Sequence, residues 1–449
     1  MRRAVLRIAR TGFSNYPTRC RTAFSRSSFT IVSQSSRCLS ATAARRDEER
    51  EWTTPLAKQL TEAINADIGG YYTGAIEKDR DQFGQKGDFI TSPEISQVFG
   101  ELIGICIDAV YMVEASKELR ATQKNLLCDK DASMRESKVG WHSTCKYTHT
   151  PIVWTETINA VPQSASKTPF IVAHEFFDAL PIHAFQVVEV PPTQQPTTTS
   201  GSPRSASSKT TSPTLQWREM VVSPTPAGAT HAELGTPKSE QHGPVPEFQM
   251  TLSRTATRHA LYVPESSPRY RALKSTPGAL IEVCPDAALY ASDFAARIGG
   301  TREHPKRRPS GAALVLDYGP ADTIPANSLR GIWRHRRVSP FAKPGLVDLS
   351  ADVDFTALAE AATRASEGVE VHGPVEQAPF LEAMGVRQRA EALARSAGDP
   401  DRARAIERAW RRLVDRGPDG MGKVYKALAI LPENGGKRRP VGFGGDVAA

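Results

Sequence analysis

Three stretches of the 449-residue chain pass from apolar runs into acids. "AVYMVEAS" (109–116), "FIVAHEFFDALPI" (170–182) and "AALVLDYG" (312–319) each begin as a short buried strand and end in polar residues. Apolar strands with acids at their carboxyl ends predict an open α/β sheet, whose ligands bind beyond those ends. A helical period appears after Ser92-Pro93, where Ile95, Val98, Phe99, Leu102 and Ile103 share one face up to a stop at Gly104. A second helix is expected after the first strand, capped by Ser116 and carrying Leu119 and Leu126. Gly398-Asp399-Pro400 separates two further helices. The later one sets Ala403, Ile406, Trp410, Leu413 and Val414 against Arg404, Glu407, Arg408 and Arg411, a charged face read as solvated surface. "KVYKALAIL" (423–431) predicts a final strand.

The middle of the chain breaks this patterning. Residues 191–214 hold 19 Pro, Ser, Thr or Gly among 24, a composition that buries too little apolar surface to offset its ordering entropy and predicts disorder. The segment separates "FQVVEV" (185–190) from "LQWREMVV" (215–222), read as a hairpin with a long inserted tip. A second Pro/Gly-rich insert covers 223–246. The expected organisation is therefore an α/β domain split into residues 47–190 and 247–432 around these inserts, with a flexible tail at 433–449.

Charge changes the picture at the amino terminus. The chain carries +8 overall, yet residues 1–46 hold ten Arg and neither Lys, Asp nor Glu. The remaining 47 basic and 49 acidic residues sum to −2, which gives no electrostatic case for nucleic-acid binding. An Arg- and Ser-rich, acid-free leader with interspersed Val5, Leu6, Ile8, Phe13, Phe24 and Phe29 has the composition of a mitochondrial transit peptide, with the matrix as destination. A disordered basic arm is the alternative. No run of 18 apolar residues is present, so no helical membrane span is expected. The six cysteines form no CxxC pair, and His174 and His183 are too few and too separated to argue for a metal.

Glu114, at the tip of the first strand, is placed to accept hydrogen bonds from both hydroxyls of a nucleotide ribose. A strand-end acid is more often simply a solvated surface group. Glu175 and Asp178 in "HEFFDALP" stand at and just past the second strand end, where two carboxylates can grip a guanidinium or remove a proton from its nitrogen. Their spacing fits capping of the following turn as well. Asp88, Ser92 and Glu94 surround a helix amino terminus, whose amides favour an anionic or polar ligand. Capping explains them too.

Resemblance narrows these readings. "GDFITSPEISQVFGELIG", "VEASKELRATQ", "HEFFDALPIHAF", "LVLDYG", "SLRGI" and "PGLVDLSADVDFTAL" resemble, in order, the mitochondrial S-adenosylmethionine-dependent protein arginine methyltransferases that assist assembly of respiratory complex I. The resemblance runs from about Trp52 to Ile430 apart from the inserts. It implies a Rossmann-like methyltransferase sheet with an added subdomain. It also implies S-adenosylmethionine as cofactor and symmetric dimethylation of an arginine on a core hydrophilic subunit of complex I. On that basis Glu114 becomes the ribose ligand, Glu156 in "PIVWTETI" lies near the adenine, and Glu175 and Asp178 grip the target arginine. Asp88 and Glu94 then belong to the segment covering the site.

One departure stands out. The family carries, before its counterpart of "VYMVEAS", a strand ending in a Glu-Leu-Gly-Pro-Gly-x-Gly loop and a helix. Here only Ile-Cys-Ile-Asp-Ala separates Gly104 from Val110. A parallel crossover needs about a dozen residues or more, so that unit has no room. The expectation is a sheet lacking its first, central strand and glycine loop, with neighbouring strand edges exposed and S-adenosylmethionine bound poorly or not at all. Under that expectation a non-catalytic binding or assembly protein competes with the enzyme.

Overall fold

The computed structural model describes residues 5–10, 54–55, 109–164, 167–191, 213–234, 236, 241, 243–334 and 336–444. The helix expected from Ser92 to Gly104, and with it Asp88 and Glu94, lies outside the described residues, as do most of the leader and of the 191–214 insert.

The strands in chain order begin with β1 (Val5–Arg10), β2 (Thr54–Pro55), β3 (Ala109–Val113), β4 (Arg135–Glu136), β5 (Trp141–Thr144) and β6 (Pro151–Thr155). There follow β7 (Lys167–His174), β8 (His183–Val190), β9 (Thr214–Pro224), β10 (Phe248–Leu252), β11 (Leu280–Val283) and β12 (Ala312–Tyr318). The last are β13 (Arg330–Trp333), β14 (Arg336–Val338), β15 (Asp348–Ser350), β16 (Val369–Glu376) and β17 (Tyr425–Pro432). A nine-stranded sheet takes the order β16-β17-β12-β7-β1-β3-β6-β5-β4. Within it β3 and β6 pair in parallel, as do β7 and β12, so their carboxyl ends share one edge. β17 returns antiparallel to β12 and β16 antiparallel to β17.

The position between β3 and β7 is filled. Backbone of β1 pairs antiparallel with β3 from Val5 opposite Met112 to Ile8 opposite Ala109, and with β7 from Val5 opposite Val172 to Arg10 opposite Lys167. The expected pair of bare edges is thereby corrected: two facing rows of backbone N–H and C=O groups form a template that an available extended segment completes. The segment that fills it comes from the leader and runs against its neighbours.

Eight helices are described: α1 (Lys117–Leu127), α2 (Arg258–Tyr262), α3 (Pro268–Leu273), α4 (Pro285–Gly299), α5 (Phe355–Ala365), α6 (Gln377–Ala383), α7 (Val386–Ser396) and α8 (Pro400–Val414). Helices α4 and α5 pack together on one face of the large sheet. Their Phe294, Ile298, Phe355 and Leu358 lie in one buried cluster with Ile171, Ala173, Val315, Leu428 and Ile430 of the strands beneath. Full burial of a ring such as Phe294 contributes about 1.5–3 kcal/mol. On α8, which Asp399 caps, Trp410 and Leu413 pack with Phe380 and Leu381 of α6 and Val386 and Ala390 of α7. Helix α1 starts at the Ser116 cap as expected, but its buried residues are Arg120 and Gln123, while Leu126 is exposed. The physical reason lies in the site that these two polar side chains serve.

The smaller sheets build the added subdomain. β8 and β9 pair antiparallel with Val190 opposite Thr214, and β10 and β11 flank them. β13, β14 and β15 form a third sheet, whose end at Ser350 meets the carboxyl edge of the large sheet.

Candidate active site

Four acids gather along the carboxyl edge of the large sheet. Glu114 follows β3, Glu156 follows β6, Glu175 follows β7, and Asp317 is the penultimate residue of β12. Each is delivered by a strand whose apolar residues anchor it in the core, so the strands fix the spacing of the carboxylates.

The Glu114 end is preorganised. Its side chain is buried; one carboxylate oxygen accepts from the Ser116 backbone N–H at 2.9 Å and the other from the Gln123 amide at 3.3 Å. Gln123 in turn accepts from the Trp154 indole N–H at 3.0 Å. Arg120 donates to the carbonyls of Glu114 and Ala115 at 2.8 and 3.0 Å, lies 4.0 Å over the Trp141 ring, and approaches Glu156 at 3.6 Å. The Glu156 side chain remains 56% exposed. Glu114 and Glu156 are thus brought together by Arg120. Sequence reasoning missed Arg120 and Gln123. Their three-residue spacing on α1 was a signal of a shared face, but polar residues at that spacing read as solvent-facing.

Glu175 and Asp178 form a second group with Asp317. Glu175 sits at φ 45°, a left-handed conformation uncommon for a residue other than glycine and often concentrated at functional sites. Its N–H donates to the Leu316 carbonyl at 2.9 Å, and its carboxylate accepts from the Tyr425 hydroxyl of β17. The turn that follows is fastened by Asp317, one of whose oxygens accepts backbone N–H groups from Phe176, Phe177 and Asp178 at 3.0, 2.8 and 3.3 Å. Its other oxygen accepts from Tyr318 N–H at 2.9 Å. Asp178 accepts from the Ser350 hydroxyl at 2.9 Å, and its carbonyl from the Ala351 N–H at 2.9 Å. Asp317, Tyr425 and Ser350 were not singled out in the sequence. Asp317 alone had a visible signal, the acid in "LVLDYG".

Burial and then the negative charges of Asp178 and Glu175 hold the Asp317 carboxyl well above the usual carboxylate range, against its backbone hydrogen bonds. Burial and then Glu175 likewise raise the Tyr425 hydroxyl. Burial and mutual repulsion disfavour charging all three carboxyls at once, and Asp178 already interacts electrostatically with the Arg330 guanidinium. Beside them a cleft of about 820 Å³ is lined by Tyr318, Arg330, Asp352, Glu376, Arg416 and Lys426 among others. Arg330 pairs with Asp352 at 2.6 Å and lies 5.3 Å over the Tyr318 ring.

The two groups face the same edge but are separated by the β1 position, two inter-strand steps or about 10 Å. Against S-adenosylmethionine the fit is divided. The buried Glu114 with its two orienting donors suits a ribose. For the methionine portion, a parallel strand with a glycine loop at its carboxyl end would be needed between β3 and β7, and β1 runs the opposite way. Among the described residues no glycine-rich loop reaches that point.

Comparison with known proteins agrees with the fold. The chain is 29% identical over 425 residues to the rat mitochondrial protein arginine methyltransferase NDUFAF7, covering 84% of this chain and 80% of that protein. The human protein of that name is 28% identical with the same coverage, and the fruit-fly homologue is 29% identical over 84% of this chain and 81% of its own length. A crystal structure from Burkholderia thailandensis bound to S-adenosyl-homocysteine superposes with a TM-score of 0.56 over 88% of this chain and 89% of that one, at 19% identity. Residues 106–375, more than half of the sequence, match the model of the S-adenosyl-L-methionine-dependent methyltransferases, and the chain belongs to that family.

Proposed function

We propose that this chain is a protein-arginine N-methyltransferase of the mitochondrial matrix. Its substrate is an arginine on a core hydrophilic subunit of complex I, which it dimethylates symmetrically as an assembly step. The observation that carries this reading is the buried trio Glu175, Asp178 and Asp317 at the strand ends, next in the chain to Tyr318 on the wall of the neighbouring cleft. A guanidinium is the cation that two carboxylates recognise with planar, paired hydrogen bonds. The relatives named protein arginine methyltransferase NDUFAF7 support the same substrate class.

In this account Asp178, held by Ser350, and Glu175, held by Tyr425, orient the guanidinium. Glu175 accepts the proton that a substituted guanidinium nitrogen releases, since that nitrogen stays protonated without a base. Glu114 binds the ribose, Glu156 borders the adenine, and Asp88 and Glu94 contribute to substrate binding. S-adenosylmethionine, when bound, supplies an electrophilic methyl group.

The antiparallel course of β1 favours a second reading, a non-catalytic assembly protein that keeps the arginine-binding acids. Calorimetric titration of the full chain with S-adenosylmethionine separates the two. Micromolar binding that Glu114→Gln weakens about tenfold or more supports the enzyme, the loss of one charged hydrogen-bonding partner being worth roughly 1.5–3 kcal/mol. A folded chain that releases no heat supports the assembly protein.

A further inference from the structure

His183 opens β8, Glu219 lies within β9, and His259 stands on α2, so three separate elements meet at one point. His183 Nδ1 is 2.7 Å from one Glu219 oxygen, and His259 Nδ1 is 3.6 Å from the other. One donor atom from each of the three residues lies within 4.8 Å of the other two. The imidazole centroids are 4.4 Å apart. Glu219 is fully buried and His183 nearly so, while the His259 side chain is 48% exposed. Thr257, which caps α2, donates its hydroxyl to Glu219.

A fully buried carboxylate calls for a countercharge. No Lys or Arg ion pair with Glu219 occurs among the described residues; its partners are two imidazoles and a hydroxyl. The pocket is therefore built for an anion whose compensating charge is not a permanently charged side chain.

We propose that His183, Glu219 and His259 form a site for a divalent transition cation, zinc by its donor set, with an open coordination position on the exposed His259 side. Two imidazole nitrogens and a carboxylate oxygen suit zinc far better than calcium or magnesium. Metal–donor bonds of about 2.1 Å place tetrahedral donors about 3.4 Å apart. The donor atoms here lie within 4.8 Å of one another, His183 and His259 approaching Glu219 at 2.7 and 3.6 Å. Thr257 then orients the ligating carboxylate, as outer-shell groups do. The ion would pin α2 to the β8–β9 hairpin, a role separate from the carboxylates at the edge of the large sheet. His183 and His174 alone gave no metal spacing in the sequence; the partners of His183 come from another strand and from a helix more than seventy positions away.

The test uses the full chain after chelator treatment, titrated with Zn²⁺ by calorimetry and with Co²⁺ by absorption. One equivalent of Co²⁺ is expected to give a visible spectrum without thiolate charge transfer, which separates this site from the cysteines. His259→Ala removes an exposed ligand without opening the core. It should lower Zn²⁺ affinity about a hundredfold or more, the upper range already seen on loss of outer-shell groups alone, with unchanged near-ultraviolet circular dichroism. A folded His259→Ala variant that binds Zn²⁺ within threefold of the parent overturns the proposal. So does a parent chain with no one-equivalent Zn²⁺ site, or a cobalt spectrum dominated by thiolate charge transfer.

Discussion

At the scale of residues, the carboxylates at the strand ends are held by partners that the sequence does not advertise. Glu114, Glu175 and Asp178 were legible because each terminates or follows an apolar run. Arg120 and Gln123 were not, because polar residues on a helix read as solvent-facing, and Ser350 and Tyr425 were not, because they reach their partners from 172 and 250 positions away. The cluster also makes a pH prediction. Asp317 has a folded-state pKa above its ordinary value, so its contribution favours the folded state at low pH and is lost as pH rises through the folded-state value. Asp178 is the larger of the two charges that raise it, and in Asp178→Asn the amide oxygen can still accept from Ser350. Urea unfolding should show the parent losing more stability between mildly acidic and mildly alkaline pH than the variant does. Equal losses in the two proteins would remove Asp178 as the cause.

Among the elements, the parallel strands β3, β7 and β12 follow directly from apolar runs bounded by acids and turns, and Ser116 and Asp399 cap helices as their chemistry dictates. The buried face of α1 did not follow. Leu119 and Leu126 suggested an apolar stripe, whereas Arg120 and Gln123 turn inward because a buried Glu114 and the Trp154 indole offer them partners. β1 is the other element that periodicity alone could not place. Its short stretch "VLRIAR" has strand character, but its position depends on a slot created far downstream. A chain beginning at residue 47 lacks this strand and leaves the facing edges of β3 and β7 unpaired. It should unfold at lower urea and form larger species in light scattering than the full chain, because an unpaired edge seeks another strand. An equal midpoint with a monodisperse profile would show that β1 contributes nothing to the sheet.

For the whole molecule, the sheet order places four acid-bearing strand ends along one edge and the added subdomain at its border. The family and the α/β class were legible because long motifs survive around the inserts. The filling of the central slot was not, since it depends on pairing between residues 5–10 and strands more than a hundred positions away. The same leader has the composition of a targeting segment, so one stretch bears on both destination and sheet completion. The central claim is methyl transfer to arginine. Its most direct measurement incubates the full chain with methyl-labelled S-adenosylmethionine and an arginine-containing fragment of a complex I core hydrophilic subunit, with labelled residues located by mass spectrometry. The account predicts label on an arginine with the parent and none above background with a folded Glu175→Gln variant. A folded parent that leaves every arginine unlabelled, or equal labelling by the variant, contradicts it.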